Sequence, residues 1–168
     1  AAAATLPGGV DSVPGRTGHN ITPDALQEFV KHPKVIAVKE ANGDVAQALE
    51  KLRLCGDKVT FYSGNDDVVV PLMACGFQGV ISVVSNLLPA ETARMAHLAL
   101  EKKNDEAAAL QLKLLPIIGA LFCETSPIPI KAAMARMGWC AEELRLPLVP
   151  MQENTRARLY RCMDELGL

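Results

Sequence analysis

The sequence is short of the features that announce a specialised partner. No run of Lys or Arg interrupts a formal net charge of -2, and aromatic residues make up only 4% of 168 positions. Gripping a phosphate backbone or an anionic lipid surface needs a basic footprint, so neither nucleic acid nor a membrane is expected as a partner. No apolar stretch approaches the roughly 20 residues that a bilayer span requires, and residues 1–9 lack the basic and apolar regions of a secretory leader. A cytoplasmic location is therefore expected. The five cysteines, Cys55, Cys75, Cys123, Cys140 and Cys162, are odd in number and form no CxxC pair. That pattern argues against a full disulfide set and for buried thiols in a reducing compartment. Also missing are zinc-type His/Cys spacings, a phosphate-cradling glycine loop and a Ser/His/Asp set. His19, His32 and His97 stand alone, and no metal site is expected.

What is present is apolar content, 49% of the chain, enough for one core and too little length for two full-sized domains. Thr22-Pro23-Asp24 pairs a capping residue with proline at the first helical position, and Leu26, Phe29 and Val30 follow at helical spacing. Val35-Ile36-Ala37-Val38 is β-branched and apolar, which predicts a buried strand with Lys39-Glu40 as its polar end. Asp44 can cap a helix with Val45, Ala48, Leu49, Leu52 and Cys55 on one face. A second strand is expected over 59–62, a helix over 67–75, and a third strand over 79–84. Strands about 20 residues apart with helices between them predict βα units on a parallel sheet. Each strand ends in a polar cluster: Lys39-Glu40, Ser63 to Asp66, or Ser85-Asn86. All three clusters should share the face that carries chemistry in such folds. From Pro89 on, helices are expected near 89–103, 105–122, 128–137 and 154–166, with Pro116 kinking or breaking the second and 145–152 running extended.

Four segments in order resemble dihydrodipicolinate synthase, a pyruvate-dependent lyase of the N-acetylneuraminate lyase superfamily. They are Val13-Pro14-Gly15-Arg16-Thr17-Gly18, Ala37-Val38-Lys39-Glu40-Ala41-Asn42-Gly43-Asp44, Ser63-Gly64-Asn65-Asp66 and Gly79-Val80-Ile81-Ser82-Val83. Pro127-Ile128-Pro129-Ile130-Lys131 and Leu144-Arg145-Leu146-Pro147 resemble its C-terminal helical region. The resemblance implies an α/β chain forming the C-terminal half of a TIM (β/α)8 barrel, followed by that helical region. Residues 1–12 are then an unmatched tail, 13–88 a partial barrel, and 89–168 the last barrel helix with the helical region.

The resemblance also implies roles. Lys39 would form a Schiff base with pyruvate, without any separate cofactor, and the enamine would attack aspartate semialdehyde in the diaminopimelate route to lysine. A lysine ending a buried strand can shed hydration and expose a free amine for that attack. By position alone, Lys39 would instead open a solvated loop and pair with Glu40. Arg16, projecting from its Pro-Gly loop, would hold the carboxylate of the second substrate in its fork of donors; an ordinary surface arginine is the alternative. Gly64 and Asn65 would contact substrate, the glycine by admitting a close approach. Ile81 would line the pyruvate pocket or fill the barrel. Other superfamily chemistries, N-acetylneuraminate or keto-deoxy-sugar-acid cleavage, are the alternative acceptors. The family's preceding β/α units, with their adjacent threonines, have no counterpart here. Asp11 stands where the family has a proton-donating tyrosine, and a carboxylate is an acceptor at neutral pH. The chain is therefore expected to be a fragment of a longer polypeptide, or to be completed by a complementing barrel half or by self-association; a non-catalytic half-barrel serving assembly is the second reading.

Overall fold

Three short parallel strands scaffold the computed structural model, which describes residues 5–168. They are β1 (Gly8–Ser12), β2 (Val35–Glu40) and β3 (Thr60–Ser63), hydrogen-bonded in the order β1-β2-β3. Helices α1 (Pro14–Thr17) and α2 (Pro23–Phe29) join β1 to β2, α3 (Val45–Cys55) joins β2 to β3, and α4 (Val69–Ala74) follows β3. Capping works as the sequence predicts. The Thr22 hydroxyl accepts from the Ala25 N–H at 3.2 Å, and the Asp44 carboxylate accepts from the Gln47 N–H at 3.0 Å. Each satisfies a donor that the first helical turn leaves free.

Register divides the sheet into two unlike faces. Val10, Val38 and Phe61 lie side by side, as do Ser12, Glu40 and Ser63. Five of these six are buried, all but Val10, and Phe61 packs on Phe77 with ring centroids 5.4 Å apart. The alternate positions form the row Asp11, Lys39, Tyr62, which stays partly exposed. Period-two alternation thus places Lys39 on the open face and its neighbour Glu40 on the closed one.

Several expectations are corrected. Residues 8–12, assigned to a tail, form a strand held by β2, the Gly8 N–H donating to Lys34 O at 2.8 Å. Two glycines and a single β-branched residue give that strand little local signal, and tertiary pairing supplies the rest. The tail's first four residues lie outside those described. The strand expected over 79–84 shrinks to one bridge, Ser63 with Val80, followed by a 3₁₀ turn at Val84–Asn86. Asp66 closes off its end: the carboxylate accepts from the Val83 and Val84 N–H groups at 2.9 and 3.2 Å and withdraws them from any ladder. Lys39 does not pair with Glu40: Glu40 bonds Lys51 of α3 at 2.6 Å, both side chains buried. All five thiols are free, yet only Cys55 is buried and Cys75 is exposed.

The remaining helices, α5 (Pro89–Leu100), α6 (Asn104–Leu121), α7 (Ile128–Arg136) and α8 (Glu153–Leu166), follow the predicted pattern. Pro116 neither breaks nor ends α6. The residue whose carbonyl loses its usual donor, Leu112, is exposed, so water can serve instead. Buried Gln111 ties α6 to the barrel segment: its amide donates to Asp66 O at 2.8 Å and accepts from the Val70 N–H at 3.2 Å. No helix among the described residues is long and apolar enough to cross a membrane.

Candidate active site at the C-terminal ends of the strands

Because the strands are parallel, Ser12, Glu40 and Ser63 end them on one edge, and two of the three predicted polar clusters, Lys39-Glu40 and Ser63 to Asp66, gather there, while Ser85-Asn86 falls in the 3₁₀ turn and ends no strand. Lys39, next to last in β2, reaches that edge from the open face with its side chain 24% exposed. Its Nζ donates to Asp11 Oδ2 at 3.0 Å, across the Asp11–Lys39 register pair. The sequence offered no signal for this contact, since it joins residues 28 positions apart. Tyr62 continues the same row on β3 and was equally unannounced.

Gly64 stands directly beside the lysine. A Cβ there would lie 3.0 Å from Lys39 Cε, 2.6 Å from the Ala41 Cβ and 3.2 Å from Glu40 O. The space that glycine opens is therefore filled by the lysine stem itself and by Ala41. The Gly64 N–H also donates to Glu40 O at 2.7 Å, stitching the loop after β3 to the end of β2. Asn65 follows, its N–H bonded to the Ser63 hydroxyl at 3.2 Å, and with Asp66, Asp67, Leu115, Ile118, Gly119 and Phe122 it borders a cleft of about 300 Å³. Asp66 is buried, with Oδ1 unpartnered among the described residues, and burial raises its pKa against the pull of hydrogen bonds from Ser82, Val83 and Val84.

Arg16 sits in α1, the single turn that leaves β1. Gly18 closes this turn at a φ of 70°, its N–H bonded to Pro14 O at 2.9 Å. The guanidinium is exposed and has no hydrogen-bond or ion-pair partner among the described residues. Ile81 comes just after the Val80 bridge, its N–H donating to Ser63 O at 2.8 Å. With 51% of it exposed, it does not fill a core among the described residues. Lys39 and Gly64 thus touch, Asn65 and Ile81 extend from the same strand end, and Arg16 shares the edge without contacting them. No group of His, Cys, Asp and Glu among the described residues could hold a metal ion.

The sequence model of the dihydrodipicolinate synthetase family matches residues 1–166. The chain belongs to that family. The match reaches back to residue 1, which corrects the view of residues 1–12 as foreign to it. The 4-hydroxy-tetrahydrodipicolinate synthase of Pelobacter propionicus is 47% identical over 166 residues, 99% of this chain and 57% of that protein. The crystal structure of dihydrodipicolinate synthase from Thermotoga maritima aligns with a TM-score of 0.94 at 37% identity, over 99% of this chain and 58% of the other. The chloride-inhibited enzyme from Acinetobacter baumannii, complexed with pyruvate, aligns with a TM-score of 0.94 at 33% identity, over 99% of this chain and 57% of that one. The α/β architecture is thus that of dihydrodipicolinate synthases, and this chain spans a little over half the length of the curated relatives it matches.

Proposed function

We propose that the chain carries the Schiff-base half of a lyase that condenses pyruvate with aspartate semialdehyde in the diaminopimelate route to lysine. Lys39 is the residue that forms the imine, and the protein needs no other cofactor. The observation that supports this most is the position of the Lys39 amine. It emerges at the C-terminal edge of a parallel strand, on the open face, over a glycine whose missing side chain leaves room for the lysine stem. In β/α folds that edge carries the chemistry. A partly solvated amine on a rigid strand is suited to attack a ketone once it gives up its proton. Arg16 and Asn65, on loops at the same edge, are proposed to hold the carboxylate and the remainder of the second substrate, and Ile81 to line the ketone pocket. The strands that complete the (β/α)8 barrel are proposed to come from a segment outside these 168 residues, whether of the same polypeptide, of a complementing half or of a second copy, in the cytoplasm.

Incubation with pyruvate and borohydride should reduce an imine and leave one covalent adduct, placed on Lys39 by peptide mapping; Lys39→Ala should abolish it. An adduct forming readily on Lys131 or Lys58 while Lys39 stays unmodified would reject the assignment. Arg16→Ala should leave trapping intact and weaken use of aspartate semialdehyde by about 10²-fold, the size of a lost bidentate carboxylate contact of about 3 kcal/mol. Turnover with sugar aldehydes alone would move the acceptor to another branch of the superfamily. A second reading, a non-catalytic half-barrel acting in assembly, draws support from the Asp11 contact, which occupies the lysine amine. Failure of every lysine to be trapped, even with the complementing half present, would favour it.

A further inference from the structure

Taking Lys39 as the Schiff-base lysine, we infer that Asp11 is the proton carrier of imine formation, drawing the proton from Nζ and returning it to the departing hydroxyl. The two residues are register partners on adjacent strands, and Asp11 Oδ2 lies 3.0 Å from Lys39 Nζ, within the distance required for direct transfer. Both lie on the open face, Asp11 with 54% of its side chain exposed, so a small keto acid can reach the pair. The second oxygen, Oδ1, has no hydrogen bond among the described residues and is free to meet a substrate atom.

Two other carboxylates nearby are poorly placed for the task. Glu40 points to the closed face and is bonded to Lys51, and Asp66 is turned to the Val83 and Val84 amides. Tyr62, the register partner of Lys39 on β3, is the other titratable group on the row, but among the described residues the Lys39 amine bonds Asp11 and no hydrogen bond joins it to Tyr62; Asn65 of the following loop carries no labile charge.

A carboxylate is an acceptor at neutral pH, and the reaction begins with a step that needs one. Asp11 takes a proton from the Lys39 ammonium, giving a neutral amine and a carboxylic acid. The amine nitrogen bonds to the ketone carbon while the C=O π pair moves to oxygen, and a proton passes from nitrogen to that oxygen to give the carbinolamine. The carboxylic acid then donates its proton to the hydroxyl, the C–O bond breaks, and water leaves an iminium. Ammonium and ketone have become iminium and water, and Asp11 is again a carboxylate.

Timed borohydride quenches with pyruvate, read by mass spectrometry at Lys39, test this in the full chain. Asp11→Asn and Asp11→Ala should slow adduct formation by about 10²-fold or more, the size of an acid–base contribution. Added formate should restore the rate to Asp11→Ala and should restore nothing to Lys39→Ala. The sign is diagnostic. A carboxylate that only paired charge with Lys39 would hold the proton on the amine, and its removal would speed the attack. Trapping in Asp11→Asn at an unchanged or faster rate overturns the inference, and so does slowing without formate rescue, which would mark a structural role. A chain with no Lys39 adduct before any substitution fails at the Schiff base itself, and the inference falls with it.

Discussion

Glu40 and Lys51 show how one residue's neighbour decides where its side chain can go. Among the described ion pairs theirs is the one with both side chains buried, at 0% and 2% exposure for Lys51 and Glu40. Glu40 also accepts from the Asn42 N–H at 3.0 Å, so neither of its oxygens is idle. With Glu40 anchored to α3, alternation along β2 leaves Lys39 only the opposite face. Lys51→Met would strand a carboxylate in a dry site and should cost about 3–5 kcal/mol in urea unfolding, the penalty for breaking a buried pair. Adding Glu40→Leu to that variant should recover most of the loss; a double variant no more stable than the single one would show that the pair contributes through something other than mutual neutralisation. Asp66 makes a pH-dependent counterpart. Its carboxyl is raised by burial, so its folded value lies above the ordinary one near ~4, and the stability tied to its protonated form is complete below that value. This contribution is lost as pH rises through the raised folded value. Asp66→Asn, always neutral, should not share the loss, and its urea midpoint should gain on the unaltered chain from pH 4 upward until the carboxyl is fully ionised. Parallel midpoints across that range would reject the assignment.

At the scale of elements, the junction of β2 and β3 is held as tightly as it is because position 64 has no side chain. Gly64→Ala would force a Cβ to within 2.6 Å of the Ala41 Cβ and 3.0 Å of the Lys39 stem; the first cannot easily yield, being fixed to backbone whose N–H is bonded to Ser12 O. The expected cost is about 1–3 kcal/mol of overpacking. Lys39 would also move, and a displacement near 1 Å lowers adduct formation on the order of 10²-fold. Gly15→Ala, where a Cβ meets open space, should trap pyruvate as before; equal losses in both variants would mean that the close approach at Gly64 is immaterial. The helices and the central strand were legible in the sequence because their signals are local: Thr22 and Asp44 as caps, β-branched residues in β2, helical spacing in α3 and α6. β1 was not, because its Gly8-Gly9 start has no pattern of its own and β2 supplies the bonds. The segment at 79–84 has strand composition, but the Asp66 carboxylate captures the amides of its last two residues, and composition carries no trace of that. The motifs single out the candidate residues one by one in the sequence, whereas the Asp11–Lys39 contact is a consequence of strand register.

At the scale of the whole molecule, the sheet is unequal on its two sides, and that inequality predicts association. Val38 and Phe61 are buried on the closed face, while Asp11, Lys39 and Tyr62 on the other are only partly covered. Among the described residues no strand pairs with the outer edge of β1, and β3 meets Val80 through a single bridge. Parallel sheets are found covered on both faces, and unpaired strand edges invite another chain. Exposed Ile36 and Ile81 add apolar surface on or beside the sheet. The expected outcome is self-association of the 18.0 kDa chain, visible in sedimentation velocity as a mean mass that rises with concentration. If the sheet edges make the contact, a complementing N-terminal half from a relative should compete with self-association and yield a mixed species instead. If the helices make it, a charge at exposed Leu112 or Leu115 of α6 should dissolve the assembly and the added half should have no effect. A monomer whose mass is independent of concentration would contradict both routes, and would mean that the open face tolerates water as it stands.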